Sequence, residues 1–231
     1  MTARNLAEQG EPCPLWIRAD VQTRGRGRRG REWISGSGNL YTSGLYIHEG
    51  NATEAALTGF VASIAVAETI EAYVPLGVSV KWPNDVLING AKTAGILLEK
   101  CDNRLIIGIG INLMYHPEDT LYPTTHIMAH MLSHDLETEE PGVPEPRTVL
   151  AILAARFEHW RHVQLTQGFA AIRSVWLRRA VGVPGRVTVN LKNDSFSGYA
   201  QTLGTNGALQ VRLDNGTIRD VHVGEVFFEG T

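Results

Sequence analysis

Residues 23–33 read Thr-Arg-Gly-Arg-Gly-Arg-Arg-Gly-Arg-Glu-Trp, and the eight residues 24–31 hold five arginines and three glycines. The chain as a whole has a formal net charge of -3, so this basic cluster is a local feature. Glycine permits positive φ and lets backbone approach a ligand closely. Arginine supplies a permanently charged planar fork that binds carboxylates and phosphates. The stretch predicts a loop that closes over an anion, and the alternative is a solvated basic loop without a ligand.

Strands are predicted on both sides of this loop. Residues 15–21 and residues 40–47 each have a mainly apolar face. A loop anchored to a sheet at both ends can move in its middle while its ends stay fixed. We therefore expect a mobile loop on a rigid support.

The pattern up to residue 113 predicts one sheet with helices packed on it. Residues 3–9 are predicted to be helical, and residues 53–73 to form the main helix with Thr53 as its N-cap. Asn89-Gly90 predicts a hairpin turn. Because few helices separate the strands, we expect a mixed α+β sheet rather than a doubly wound one. The further strands are predicted at residues 78–82, 86–88, 93–99 and 104–113.

A long polar excursion is predicted for residues 114–146, which contain five prolines. Its histidines His126, His130 and His134 are four residues apart and would share one face of a helix. That spacing would suit a transition metal, but exposed histidines without a metal are the favoured interpretation. Two more helices are predicted at residues 147–167 and 169–179.

The sequence pattern changes at residues 182–185, where short strands with alternating apolar and polar residues begin. They are separated by turn-forming pairs such as Asn206-Gly207 and Asn215-Gly216. This spacing predicts a small β-barrel. We therefore expect two domains, residues 1–180 and residues 181–231.

The composition narrows the class of protein. Hydrophobic residues make up 43% of the 231 residues, as in ordinary globular chains, and the apolar runs are too short to span a membrane. No leader is recognisable, so a cytoplasmic protein is expected. Cys13 and Cys101 are interpreted as reduced thiols, with a disulfide as the lesser alternative. The acidic balance argues against nucleic acid as a partner.

Lysine is scarce, since 17 of the 21 basic residues are arginine. Two of the four lysines flank the turn Trp82-Pro83-Asn84 and the hairpin that follows it: Lys81 precedes the turn, and Lys92 begins a later strand. Such lysines can neutralise a phosphate or an activated carboxylate in a pocket. The plainer alternative is that Asp85 caps the turn and the lysines are solvated.

With these motifs the chain resembles the biotin–protein ligases, which include the biotin–[acetyl-CoA-carboxylase] ligases. The resemblance rests on residues 22–33, 38–41, 81–85, 92–97 and 108–113 in the family's order and spacing. It implies a catalytic domain similar to class II aminoacyl-tRNA synthetases and a C-terminal SH3-like β-barrel. It also implies a reaction in which ATP with Mg²⁺ activates biotin to biotinyl-5′-AMP. A lysine of a biotin carboxyl carrier domain then takes the biotinyl group.

The resemblance also assigns roles to residues at matching positions. Arg28, Lys92, Lys81 and Asp85 would be catalytic, with Arg28 retaining the adenylate and Asp85 helping to place the metal. Biotin or its adenylate would be bound by Gln22, Arg26, Gly27, Arg28, Trp33, Lys92 and Gly95. Within this group, Trp33 is expected to support the adenine and Gly95 to admit the biotin rings.

Several alternatives stay open at this point. A lipoate or octanoate ligase of the same fold is the nearest rival, and a nucleic-acid-binding loop is a more distant one. The chain begins about where many family members have a Ser-Thr-Asn-like biotin-binding motif, so full biotin affinity is in question. No N-terminal helix-turn-helix is recognisable, which does not favour a repressor role. An edge strand at residues 104–113 would be available to pair with a second copy.

Overall fold

The computed structural model describes residues 2–118, 120–131 and 144–229, and its larger sheet has six strands. In chain order these are β1 Leu15–Ala19, β2 Leu40–Ile47, β3 Val78–Lys81, β4 Asp85–Ile88, β5 Ala91–Cys101 and β6 Arg104–Ile111. The described helices are α1 Ala3–Glu8, α2 Ala52–Glu71, α3 Pro146–Gln167 and α4 Phe169–Arg179. The predicted strands and helices of this part therefore exist, with bounds that shift by a few residues.

The larger sheet is antiparallel throughout, so the expected mixture of strand directions is wrong. Its order is β1-β2-β6-β5-β4-β3, and each neighbouring pair runs antiparallel. Helix α2 joins β2 to β3, but β3 lies at the far edge of the sheet, so this crossover makes no parallel pair. Parallel contacts occur only as isolated bridges among the described residues, Val80 with Ala180 and Lys92 with Thr124.

Strand β6 is an interior strand, which contradicts the prediction of an edge strand at residues 104–113. It is hydrogen-bonded to β2 on one side and to β5 on the other. An interior strand has no free row of N–H and C=O groups. It cannot pair with a second copy of the chain.

Helix α2 is the central helix of the fold, and its cap differs from the prediction. The N-cap is Asn51 rather than Thr53, because Asn51 and Glu54 form a reciprocal capping box. By length and composition α2 is apolar enough to cross a membrane, but 72% of its most apolar window is buried inside the protein. We therefore interpret α2 as a core helix between the sheet and helices α3 and α4.

The C-terminal residues form five further strands: β7 Gly185–Asn190, β8 Ser195–Leu203, β9 Leu209–Arg212, β10 Ile218–Val221 and β11 Glu225–Phe228. These strands make a second antiparallel sheet in the order β10-β9-β8-β7-β11. In the described residues β10 and β11 are its two edges, so a closed SH3-like barrel is not shown. Trp82 joins the two sheets, since its Nε1 donates to the Gly207 carbonyl at 3.3 Å. Buried residues of both sheets belong to one continuous core.

The histidine spacing does not produce a metal site in the described residues. His126 precedes a short 3-10 turn, Ile127–His130, and contacts His116, whereas His130 contacts Thr125. His134 lies outside the described residues. No group of three His, Cys, Asp or Glu suited to a metal occurs in the part of the chain that the structure describes. Neither Cys13 nor Cys101 forms a disulfide.

Candidate functional site

One cavity of about 800 Å³ lies on the larger sheet and brings the predicted site residues together. Its walls come from the loop between β1 and β2, from β5 and β6, from the turn between β3 and β4, and from the start of β11. Every site residue predicted from the sequence lines it: Gln22, Arg26, Gly27, Arg28, Trp33, Lys81, Asp85, Lys92 and Gly95.

The arginine-glycine stretch forms a hairpin over this cavity. The Gly27 N–H donates to the Arg31 carbonyl at 2.7 Å, and the Trp33 N–H donates to the Gly25 carbonyl at 3.0 Å. At the tip, Arg29 and Gly30 have φ values of 59° and 76°, a region that glycine adopts at little cost. The hairpin explains the alternation of glycine with arginine, because the backbone turns tightly while the long side chains extend from it.

Carboxylates pair with most of the cations that border the cavity. Arg31 lies 2.8 Å from Glu225, Arg26 lies 3.4 Å from Glu99, and Lys92 Nζ lies 2.7 Å from Asp85 Oδ1. These side chains are all partly exposed, so each pair alone adds little to folding stability. Such pairs hold these cations in the wall of the cavity.

Arg28 differs from these cations, since it has no carboxylate within 4.0 Å among the described residues. Burial lowers the pKa of Arg28, and the nearby Asp85 carboxylate raises it. The guanidinium stays charged at neutral pH because the ordinary pKa of arginine lies far above 7. A half-buried cation without an ion pair is available to an anionic ligand.

Lys81 is held by aromatic rings from two other parts of the chain. Its Nζ lies 5.3 Å from the centre of the Tyr122 ring and 6.0 Å from that of Phe228. Burial lowers the pKa of Lys81, Asp85 opposes that shift, and Lys92 adds to it. The turn after β3 therefore presents a desolvated ammonium group to the cavity.

Trp33 lies flat on two glycines of the sheet, Gly95 and Gly110, which face each other across β5 and β6. A Cβ on Gly110 would come within 2.5 Å of the indole ring, and one on Gly95 within 2.8 Å. Lys92 Nζ lies 5.6 Å from the ring centre. Gly95 thus admits the Trp33 ring in this structure, whereas the sequence assigned it to the biotin rings.

Gln22 is fixed in the wall of the cavity beside the hairpin. Its Oε1 accepts a hydrogen bond from Ser35 Oγ at 2.9 Å. Gly25 lies directly against it, since an added Cβ would meet Gln22 Oε1 at 3.0 Å. The side-chain amide of Gln22 is therefore oriented before any ligand arrives.

The sequence did not identify three contributors to the site. Tyr122 comes from the excursion after β6, Glu225 comes from β11, and Glu99 joins the hairpin to α1 by pairing with Arg4 as well as Arg26. None of them belongs to a recognisable motif. Residues 2–4 also line the cavity.

Comparisons with known proteins assign the chain to a family. Residues 5–114 match the Biotin/lipoate A/B protein ligase family, and residues 186–229 match the Biotin protein ligase C terminal domain. The chain is 34% identical over 227 residues to a biotin–[acetyl-CoA-carboxylase] ligase of Paracoccus denitrificans, covering 93% of this chain and 90% of that protein. It is 31% identical over 223 residues to the bifunctional ligase/repressor BirA of Bacillus subtilis (strain 168), covering 93% of this chain and 66% of that protein.

The fold is also similar to that of a solved biotin protein ligase. The structure from Aquifex aeolicus, in complex with biotin and ATP, superposes with a TM-score of 0.82 at 24% identity, covering 99% of this chain and 95% of that chain. At that identity the likeness concerns the fold.

Proposed function

Because the chain belongs to the biotin/lipoate A/B protein ligase family, and within it to the biotin–protein ligases, we propose that its cavity activates biotin with ATP and biotinylates a carrier protein. The chain is a ligase whose substrates are biotin and ATP. The observation that carries the assignment of the site is the convergence of Arg28, Lys81 and Lys92 on one cavity beneath the hairpin. The carrier is a biotin carboxyl carrier domain of a carboxylase.

In the first step a biotin carboxylate oxygen attacks the α-phosphorus of ATP. The new P–O bond makes a mixed anhydride. The bond from the α-phosphorus to the oxygen bridging to the β-phosphorus breaks, and pyrophosphate leaves. Both reactants are anions, so their repulsion must be reduced before they can meet. Lys92 and Arg28 supply fixed positive charge in a partly desolvated cavity, where such groups stabilise developing charge strongly.

In the second step the amine of a carrier lysine attacks the carbonyl carbon of the biotinyl adenylate. An amide bond forms, AMP leaves with the electrons of the C–O bond, and the amine loses a proton. The adenylate must be kept from water until the carrier arrives. The hairpin over the cavity can supply this protection, with Arg28 holding the phosphate.

We assign the remaining residues from their positions. Gln22, Arg26 and Gly27 bind biotin along the hairpin. Lys81 and Asp85 place the phosphates of ATP. The indole of Trp33 forms a flat surface for the adenine, and Gly95 contributes indirectly by giving Trp33 its place on the sheet.

Magnesium fits this site as a companion of ATP. The Asp85 carboxylate lies in the cavity beside Lys92. Mg²⁺ is commonly bound through one or two carboxylates together with substrate phosphates, rather than by an all-protein cage. Asp85 would hold the ion, which would neutralise phosphate charge.

Biotin-dependent exchange of labelled pyrophosphate into ATP tests the proposed function. We expect the purified protein to exchange label only when biotin is present, because pyrophosphate release requires the carboxylate to attack. Lipoate and octanoate should give no more than background. Exchange with either acid and none with biotin would contradict the assignment and favour a lipoate ligase.

The Gly110→Ala variant tests the place of Trp33. The added methyl group would collide with the indole and displace it, at a cost of about 1–3 kcal/mol. We expect the KM for ATP to rise about tenfold, with a smaller change in the KM for biotin, in steady-state exchange assays.

Gly108→Ala is the matched control on the same strand. An added Cβ there meets only the Leu97 carbonyl oxygen and Cβ, at 3.4 Å and 3.8 Å. Gly108 also lines the cavity, so the comparison is made on the KM for ATP, which should stay near that of the unmodified protein. Equal effects of the two substitutions, or a selective rise of the KM for biotin, would contradict the assignment of Trp33 to adenine.

The finer features of the protein remain proposals. They include the boundary between residues 1–180 and 181–231, closure of the C-terminal sheet into a barrel, a cytoplasmic location, and the exclusion of nucleic acid as a partner. A second copy of the chain would have to bind through a surface other than β6. Sedimentation with and without biotin would decide whether it does.

A further inference from the structure

Two histidines outside the proposed reaction site are in direct contact. The Nδ1 atoms of His116 and His126 lie 2.7 Å apart, and the two rings meet edge to edge, with centroids 5.0 Å apart and planes tilted by 28°. A neutral imidazole has one donor and one acceptor nitrogen. A contact of this length therefore fits one proton shared between the two nitrogens, whereas two imidazolium ions would repel each other there.

This pair closes the base of the loop formed by residues 116–126, of which the structure describes all but residue 119. The middle of the loop, residues 120–122 and 124, lines the reaction cavity. The loop is also joined to β5. The Lys92 N–H donates to the Pro123 carbonyl at 2.8 Å, and the Thr125 N–H donates to the Lys92 carbonyl at 2.9 Å.

The loop therefore affects both lysines of the site. It holds the backbone of Lys92, and it supplies the Tyr122 ring against which Lys81 Nζ lies. A change in the contact between His116 and His126 at the base of the loop would therefore alter the positions of Lys81 and Lys92.

We propose that His116 and His126 are positioning residues whose shared hydrogen bond holds the 116–126 loop in place, so that the site loosens when both imidazoles are protonated. The shared proton joins the two ends of the loop, and a second proton replaces attraction by repulsion. The wall of the cavity then separates from β5.

The surroundings of His126 favour its neutral imidazole at neutral pH, and therefore the hydrogen bond to His116 that holds the loop. Burial lowers the pKa of His126 below its ordinary value of 6.5, and the positive charges of His116 and His130 lower it further. Glu118 lies beside His116 in a neighbouring surface depression. The native loop disfavours protonated His126, whereas the unfolded chain accepts that proton readily. The stability that the pair gives to the loop is therefore fully present above pH 6.5 and is lost as the pH falls below that value.

The His116→Asn variant tests whether the histidine pair acts through its titration or only by holding the loop in place. An asparagine amide does not titrate, and it can donate to neutral His126 Nδ1 or accept from the protonated form through its carbonyl oxygen, so the contact survives in both states. In the unmodified protein we expect the KM for ATP to rise about fivefold between about pH 7.5 and pH 5.5. His116→Asn should be nearly independent of pH over that range. His116→Ala should show the raised KM at both pH values.

Amide hydrogen exchange supplies a readout that does not depend on catalysis. After correction for the intrinsic pH dependence, protection of the Lys92 and Thr125 amides should fall at low pH in the unmodified protein and stay constant in His116→Asn. Only the KM readout rests on the proposed function, so protein without ligase activity would still report on the histidine pair. His162→Asn, on the exposed face of α3, is the control and should behave like the unmodified protein.

Two results would overturn the proposal. One is protection of Lys92 and Thr125 that falls equally in His116→Asn and in the unmodified protein. The other is protection that stays constant with pH in both proteins. If His116→Ala does not fold, the asparagine variant alone decides between these outcomes.

Discussion

Replacing Lys92 by glutamine should lower the rate of biotin-dependent pyrophosphate exchange about a thousandfold. The Lys92 ammonium lies between Asp85 and the Trp33 ring in the wall of the cavity. Glutamine keeps most of the length of the side chain and removes its charge. The loss should appear mainly in kcat, because the charge is needed most as the carboxylate approaches the α-phosphorus.

Lys100→Gln is the matched control, since Lys100 lies on the same strand, β5. Its Nζ donates to the Gly50 carbonyl, and its side chain is exposed and away from the cavity. Exchange by this variant should stay close to that of the unmodified protein. The role of Lys92 would be refuted by a Lys92→Gln enzyme within tenfold of the unmodified rate, or by an equal loss in Lys100→Gln. Thermal midpoints of both variants would show whether either loss reflects unfolding.

Replacing Arg28 by glycine should release the biotinyl adenylate about a hundredfold faster, which corresponds to the loss of a charged, paired hydrogen bond to phosphate. Arg28 is half-buried and has no carboxylate within 4.0 Å among the described residues, so its guanidinium is available to that phosphate. Free adenylate would react with any accessible amine. We therefore expect biotin on lysines of a bystander protein such as serum albumin, measured by mass spectrometry.

Arg29→Gly is the control for the loss of charge from the same hairpin. Arg29 is exposed and has a φ of 59°, which glycine adopts readily, so this substitution should leave the hairpin intact. The adenylate should dissociate from it at nearly the unmodified rate. An unchanged adenylate lifetime in Arg28→Gly, or an equally short one in Arg29→Gly, would show that retention does not depend on Arg28.

Local signals in the sequence determined the two strands around the arginine-glycine stretch and the hairpin at Asn89-Gly90. The periodicity of residues 53–73 predicted the central helix. Strand alternation and turn residues are properties of neighbouring positions, so they can be identified without knowing the rest of the fold. The start of α2 was misplaced because Thr53 and Asn51 are both good caps. Only the reciprocal contact with Glu54 distinguishes Asn51.

The motifs of the site could also be identified from the sequence, since Arg28, Lys81 and Lys92 stand in stretches of unusual composition. Their partners could not be identified in this way. Glu225 pairs with Arg31 from the other end of the chain, and Tyr122 reaches Lys81 from a loop without periodicity. A single acidic or aromatic residue in such a segment looks like any other surface residue.

The sequence by itself therefore determined which unusual residues the site contains: an arginine-glycine stretch, scarce lysines at a rigid turn, and the strands that carry them. Only the tertiary structure decided that β6 lies inside the sheet, that Trp33 rests on Gly95 and Gly110, and that two histidines close the loop beside Lys92. The physical reason is that pairing and packing depend on which distant segments are brought together. That choice is made by the free energy of the whole core and leaves no signal in the few residues on either side of a contact.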